Sequence, residues 1–277
     1  MARPMPTALT VAGSDSGGGA GVQADLKTFA ALGVYGTCAV TSVTAQNTLG
    51  VIDRLDVEPR LVAAQIDAVL GDIGADAVKI GMLANRWIVD AVADRMRAHA
   101  VERLVIDPVM VSKSGHRLLD EDAVHSMVER LFPLALIVTP NVHEARSLAG
   151  VEVAGIAQMR EAARRIASMG PRFVLITGGD AAWSDAALDL IYDGDRFEEL
   201  SSVRVHTKNT HGAGCTLSAA ICAYLALGCD PREAVVKAKA YVTEAIRTAL
   251  NLGGGHGPLN HFWTMRLKDR PQGGQDG

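Results

Sequence analysis

Aromatic side chains are scarce in this sequence: Phe, Tyr and Trp together make up 4% of its 277 residues. A core drawn from such a chain is mainly Val, Leu, Ile and Ala, and aromatic stacking is weakened as a main recognition force. A basic surplus is also lacking, with 27 Lys and Arg against 31 Asp and Glu, whereas a dedicated nucleic-acid binder is ordinarily strongly basic. No uninterrupted apolar run reaches the about 20 residues of a membrane span, so no membrane partner is expected. The apolar run Ala8 to Ala12 is too short for a signal-peptide core and leads into glycines and Asp15, which reads as a strand. Cysteines number four, with no Cys-x-x-Cys pair. Cys215, Cys222 and Cys229 recur every seven residues. That interval is a helical rise of about 10.5 Å, while a disulfide needs Cα atoms within about 7 Å. Cys38, Cys222 and Cys229 therefore read as small buried hydrophobes in a reducing, cytoplasmic setting.

What the sequence does hold is alternation. Short apolar runs at Ala8–Ala12, Thr37–Thr41, Ala77–Ile80, Leu104–Ile106, Ala135–Val138 and Arg172–Ile176 read as strands. Helical patterns at about 21–32, 59–71, 86–99, 121–131, 142–149 and 156–169 separate them. Strands apolar on both faces and spaced by helices predict an α/β fold, with a central, mostly parallel sheet flanked by helices on both faces. Leu188–Tyr192 and Arg196–Leu200 flank Asp193, Gly194 and Asp195, which predicts a small antiparallel hairpin. Two long helices, about 213–227 and 231–250, close the pattern. With no internal repeat and no Pro-rich linker, a single domain over residues 7–262 is expected, with flexible tails at 1–6 and 268–277 and no further enzyme domain appended.

Ligands of such sheets bind beyond the carboxyl ends of the strands. Those ends carry Gly13 to Gly21, Gly81-Met82, Asp107-Pro108, Thr139 to Asn141 and Thr177 to Asp180. The first Gly-rich loop fits neither common nucleotide fingerprint, because Gly19 stands where a P-loop needs Lys and Val22 where a dinucleotide fold needs its third glycine. It reads equally as a flexible turn or as a backbone surface for a ligand. Lys208 to Thr216 contains His211, Gly212, Ala213, Gly214 and Cys215 directly before an apolar helix. That arrangement is either a plain capping turn or an anion hole of backbone amides. Asn141 and Glu144 have the spacing of a capping box; alternatively Glu144 joins Asp107 in holding Mg²⁺, which needs few protein ligands. His143 to Ser147 lacks the second His of a zinc protease helix, so zinc is not expected.

Together, Val11 to Asp25, Ala45 to Thr48, Lys79 to Met82, Asp107 to Met110, Thr207 to Thr216 and Gly255 to His261 resemble the bacterial hydroxymethylpyrimidine and phosphomethylpyrimidine kinases of thiamine biosynthesis. The resemblance covers about residues 7–262. It implies a ribokinase-like fold, ATP with Mg²⁺, a homodimer, and two successive phosphorylations, of 4-amino-5-hydroxymethyl-2-methylpyrimidine and then of its monophosphate. Carried onto this chain, it makes Gln46 the pyrimidine reader, since a carboxamide offers a donor beside an acceptor. It frames the same pocket with Gly13, Asp25, Met82 and Val109. It puts Asn141 on the nucleotide side, Glu144 and Asp107 at Mg²⁺, and Gly212, Ala213, Gly214 and Cys215 at the transferring phosphoryl group. Cys215 stands where sugar kinases of the wider superfamily carry an Asp base. A thiol repels a phosphate acceptor less than a fixed carboxylate does, and its pKa of about 8.5 is expected to fall at a helix N-terminus.

One departure stands out. Many members of that family carry Lys before the paired glycines and His after them, where this chain has Thr177 and Asp180. Lys208 and Lys239 are the cations expected to compensate at the nucleotide phosphates. Rival readings are a pyridoxal or pyridoxine kinase on the same fold, which Gln46-Asn47 and the Gly-Ala-Gly-Cys segment disfavour, and a non-catalytic pyrimidine sensor, which the paired carboxylates disfavour.

Overall fold

The computed structural model describes residues 5–110, 119–179, 181 and 183–265. Its strands are β1 (Thr7–Asp15), β2 (Tyr35–Asn47), β3 (Gly50–Asp56), β4 (Ala77–Ile80), β5 (Leu104–Ile106), β6 (Ile137–Val138), β7 (Phe173–Gly178), β8 (Ala186–Tyr192) and β9 (Phe197–Val203). They form one sheet in the order β3-β2-β1-β4-β5-β6-β7-β8-β9. The pairs from β2 to β7 are parallel, and β3 and β8–β9 add antiparallel edges. The helices are α1 (Gly21–Ala31), α2 (Pro59–Ala68), α3 (Arg86–Ala98), α4 (Glu121–Arg130), α5 (Val142–Ala149), α6 (Ile156–Ala167), α7 (Ala213–Ala226) and α8 (Pro231–Arg247).

Side-chain alternation explains the two layers, because successive strand residues face opposite sides of a sheet. Leu9, Val11, Val78, Ile80 and Ile106 join the apolar faces of α2 to α6 on one side. Ala8, Ala77, Val105, Ile137 and Leu175 meet α1, α7 and α8 on the other. Local signals place the helix starts: Pro59 and Pro231 sit in first turns, and the Asp230 side chain accepts from the amides of Arg232 and Glu233. α7 is buried along most of its length, so its amino end is held firmly against the carboxyl edge of the sheet.

The mostly parallel sheet, the helices on both faces and the β8–β9 hairpin agree with the sequence expectations. The β2–β3 hairpin does not feature in them. Beyond Thr41, β2 mixes Ser42, Thr44 and Gln46 with Val43 and Ala45 and projects past the core, so it carries no buried apolar run to betray a strand. Most of the expected tails, residues 1–4 and 268–277, and Asp180 lie outside the described residues.

Asp25 belongs to the interior and does not frame the cavity described below. It lies with Val22, Thr28 and Phe29 on the buried side of α1 and is fully buried. Its Oδ2 accepts from Thr10 Oγ1 at 2.6 Å and from Lys79 Nζ at 2.9 Å. Lys79, on β4, is likewise fully buried. Burial opposes its charge, but Asp25 first, with Cys215 and Asp107 after it, together outweigh this and hold the ammonium above its ordinary pKa. Removing one member of such a pair strands the other charge in a medium that solvates it poorly. Lys79→Met is expected to lower unfolding stability by about 3–5 kcal/mol, and the double variant with Asp25→Asn to recover much of that loss, as read from urea denaturation midpoints.

Candidate active site

The strand ends converge on a cavity of about 320 Å³ that runs across the carboxyl edge of the sheet. At one end it is lined by Gly13, Asp15, Thr44, Gln46, Met82 and Val109, and at the other by Thr177, Gly179, Ser202, Arg204, Lys239 and Ile246. Between them lie Lys79, Asp107, Asn141, Glu144 and the segment His211 to Cys215. Of the residues expected from sequence, Gln46, Gly13, Met82, Val109, Asn141, Thr177, Lys239, Asp107, Glu144, Gly212, Ala213, Gly214 and Cys215 thus share one cavity. Lys208 does not. The residue is exposed and lies outside the lining, and its backbone carbonyl is 3.1 Å from His256 Nδ1.

The two Gly-rich loops touch each other. Gly212 has φ +83°, and a Cβ there would fall on the carbonyl of Gly19. Gly21 has φ +57°, and its Cβ would fall on the carbonyl of Gly13. Asp15 ties the loops together. Its carboxylate accepts from the amides of Gly17 at 2.8 Å, Gly19 at 3.0 Å and Ala20 at 2.8 Å, and it lies 2.9 Å from His211 Nε2. Burial works against its ionisation, but the bonds from His211 and the Ala20 and Gly17 amides win and hold the carboxyl below its ordinary pKa. Sequence reading singled out neither Asp15 nor His211. Each belongs to a motif already noted, but their pairing spans 196 positions and only the fold shows it.

At the middle of the cavity, α7 begins. The amide of Ala213 donates to Thr210 O at 3.2 Å, and the first-turn amides that follow it, of Gly214 and Cys215, lack intrahelical partners by helix geometry. Asp107 Oδ2 accepts from Ser218 Oγ, one turn further along α7, at 3.1 Å. Cys215 lines this floor as a neutral thiol. Burial pushes its pKa up to about 12, and Asp107 and Asp25 add to the shift against the pull of Lys79. The fall expected at a helix N-terminus is thus outweighed by loss of water.

Asn141 and Glu144 do form the capping box of α5. The Asn141 side-chain oxygen accepts from the amides of His143 and Glu144, each at 2.9 Å, and Glu144 Oε2 accepts from the Asn141 amide at 2.9 Å. The two readings of this pair are compatible, because Glu144 also lines the cavity with Asp107. Burial pushes Glu144 up to about 8, repulsion from Asp107 adds to this, and the amides of Asn141 and Met110 pull the other way. Two hard oxygen donors that repel each other suit a divalent cation that retains much of its water. Among the described residues, no group of three or more His, Cys, Asp and Glu could encage a metal without such water.

The cations of the far end sort differently from expectation. Lys239 Nζ is committed to Asp189 Oδ2 at 2.7 Å and to Ala187 O at 2.9 Å. Arg204 makes no ion pair among the described residues. Its guanidinium donates to the carbonyls of Gly179, Ala181, Ser184 and Ala186.

A family model described as phosphomethylpyrimidine kinase matches residues 15–260. The hydroxymethylpyrimidine/phosphomethylpyrimidine kinase of Rhizobium meliloti is 51% identical over 258 residues, covering 92% of this chain and 96% of the relative. The thiamine biosynthesis bifunctional protein ThiED of Geobacter sulfurreducens is 50% identical over 268 residues. The match spans 96% of this chain but 54% of that longer protein. Among solved structures, an ADP complex of Bacillus subtilis pyridoxal kinase aligns with a TM-score of 0.88 and 40% identity, covering 95% of this chain and all of that one.

The Glu144 carboxyl also makes the site a cost to stability. In the unfolded chain it ionises near 4.3, while in the fold it holds its proton to about 8. Between those values the folded state binds more protons, so this group's contribution falls as pH rises and is neutral below both. Gln keeps the capping box and removes the titration. Glu144→Gln is therefore expected to raise Tm by about 5 °C or more at pH 8 and by much less at pH 5, measured by calorimetry without divalent cations.

Proposed function

The chain belongs to the phosphomethylpyrimidine kinase family, and on that premise we propose that it transfers the γ-phosphoryl group of ATP to 4-amino-5-hydroxymethyl-2-methylpyrimidine and then to the resulting monophosphate. The observation that carries the reading is one cavity with a carboxamide reader at one end, Gln46, and a helix N-terminus flanked by paired carboxylates at its middle. Gln46 and the backbone at Gly13 receive the ring, with Met82 and Val109 against its apolar edges. The hydroxymethyl group then points toward Cys215 and the amides at the start of α7. Those amides and the helix dipole stabilise negative charge on the transferring group. Asp107 and Glu144 would hold Mg²⁺, which when bound supplies charge neutralisation on the phosphates. Lys79 sits beneath the middle of the cavity and balances the acids around it.

Cys215 acts here as a neutral neighbour of the acceptor oxygen and not as a resting base, because a thiol pushed up to about 12 is almost wholly protonated at neutral pH. Phosphoryl transfer tolerates this, since it depends mostly on positioning and charge stabilisation. A neutral group also admits the second, anionic acceptor. Support for the nucleotide end comes from Arg204, which makes no ion pair among the described residues and lines the cavity with Thr177, the residue that stands where Lys is expected. Support for a homodimer comes from the β2–β3 hairpin: Val43 and Leu55 are register partners on one face and both exposed, with Ile52 and Leu49 exposed nearby. Among the described residues, no helix is long and apolar enough to cross a membrane.

The reading is tested by ADP release with the hydroxymethylpyrimidine, its monophosphate and pyridoxal side by side. Turnover of both pyrimidines above pyridoxal is expected, and turnover of pyridoxal alone would overturn the assignment. In the same assay, Cys215→Ala is expected to slow both pyrimidine phosphorylations in parallel. Abolition of the second with the first spared would contradict the role given to the thiol.

A further inference from the structure

The oxygen and nitrogen of a carboxamide have nearly the same shape, so which one faces a given neighbour is settled by where the protons are. Around Gln46 the protons can be counted. Its Oε1 lies 3.2 Å from Thr44 Oγ1, and its Nε2 lies 3.3 Å from His211 Nε2. Thr44 Oγ1 also lies 2.8 Å from the carbonyl of Ser14, which can only accept. The single hydroxyl proton of Thr44 is therefore spent on Ser14, and toward Gln46 the hydroxyl can only accept. Gln46 must turn its NH₂ to Thr44.

The other side gives the same answer independently. Asp15 already accepts three backbone amides, and its Oδ2 lies 2.9 Å from His211 Nε2. A carboxylate so placed requires His211 to carry its proton on Nε2. That nitrogen cannot then accept from Gln46, and an NH₂ there would set donor against donor, so the Gln46 oxygen faces the N–H that His211 gives mainly to Asp15. Both proton counts call for the same amide orientation, with oxygen toward His211 and nitrogen toward Thr44.

We propose that the Asp15–His211 pair sets acceptor specificity, by holding the Nε2–H tautomer of His211 and thereby fixing the donor–acceptor order of Gln46. The inference rests on Gln46 as the reader of the ring. One oxygen lone pair on the His211 side and one N–H on the Thr44 side remain for the ligand. The matching edge is an exocyclic amino group on the His211 side with a ring nitrogen acceptor beside it on the Thr44 side. An aminopyrimidine has that edge; pyridoxal has no amino group beside its ring nitrogen. His211 is a positioning residue, since it acts through Gln46. Its ring is partly exposed, at 12% of the side chain, whereas Asp15 is at 3%. The pair therefore sits at the cavity wall with the tautomer-setting carboxylate behind it.

Two measurements test this separately from the activity itself. In the free enzyme, ¹⁵N NMR of the histidine rings, with His211 assigned by the signals lost in His211→Gln, is expected to show Nε2 protonated at pH 8. An unprotonated Nε2 would overturn the proposal while leaving the kinase reading intact. Kinetically, His211→Phe leaves the amide to Thr44, whose proton can swing from Ser14 to a turned Gln46 oxygen, and is expected to raise KM for the aminopyrimidine about 10–100-fold, with kcat and the KM for ATP within about threefold of the parent. His211→Gln keeps an N–H donor toward Asp15 and Gln46 and is expected to restore most of the loss. Equal damage to the KM for ATP and to kcat in both variants would mark His211 as merely structural and overturn the proposal. An enzyme that phosphorylated no pyrimidine at all would instead defeat the functional reading, and the NMR result would stand apart from it.

Discussion

A single buried ammonium, Lys79, lies under the site with acidic neighbours around it, and much of the structure answers to that charge. Asp25 pairs with it directly, while Asp107 lies close enough to act on its ionisation. Without it, the carboxylates at the base of the cavity would repel one another in a medium that screens charge weakly. Two departures from ordinary chemistry accompany the pair. Asp25 Oδ1 is left buried without a hydrogen-bond partner, an arrangement tolerable because the other oxygen holds a cation and a hydroxyl. Cys215 stays a thiol because burial, helped by Asp107 and Asp25, outweighs the pull of Lys79. Strand β4 carries Lys79 and then turns at Gly81 toward Met82, so one short element supplies both the electrostatic base and an apolar wall.

The second organising contact is the bridge between the first and last Gly-rich segments. Asp15 gathers the amides of its own loop and reaches His211, 196 positions away. The carbonyl of Gly19 occupies the space a side chain on Gly212 would need. The acceptor end and the phosphoryl end of the cavity are thereby held at a fixed separation, which matters for a reaction governed by positioning. The low aromatic content fits this design. Recognition is assigned to one carboxamide in a proton-defined orientation and to backbone surfaces, with no ring stack.

Sequence periodicity revealed the parallel sheet, the helices on both faces and the late hairpin, because those elements bury continuous or alternating apolar sets. It missed β3, whose Ile52 and Leu55 are exposed and three residues apart with no buried alternating face, and the outer half of β2. Strand-end position and the family resemblance together brought Gln46, Asp107, Glu144 and the Gly212 to Cys215 segment into view. They misplaced Asp25, because an acid on a helix beside a Gly-rich loop reads as a ligand contact until helix phase turns it inward. Lys208 lies outside the lining, since nearness in sequence to the late loop does not by itself bring a residue into the cavity. Thr44, Arg204 and the Asp15–His211 link were illegible, since each draws its meaning from partners distant in the chain or from backbone carbonyls that carry no sequence signal.

At the nucleotide end, charge is arranged more sparingly than the number of cations suggests. Lys239 is paired with Asp189, whereas Arg204, held by four carbonyls, makes no ion pair among the described residues and lines the cavity. On the proposed reading, phosphate would be met by the amides at the start of α7, by Arg204 and by a cation held by Asp107 and Glu144. The most direct test of this picture is a crystal structure with the hydroxymethylpyrimidine, a non-hydrolysable ATP analogue and Mg²⁺ together. The ring is expected against Gln46 and Gly13, its hydroxymethyl oxygen beside Cys215, and the terminal phosphate over the start of α7 facing Asp107 and Glu144. An acceptor seated away from Gln46, or phosphates that avoid the start of α7, would contradict the account.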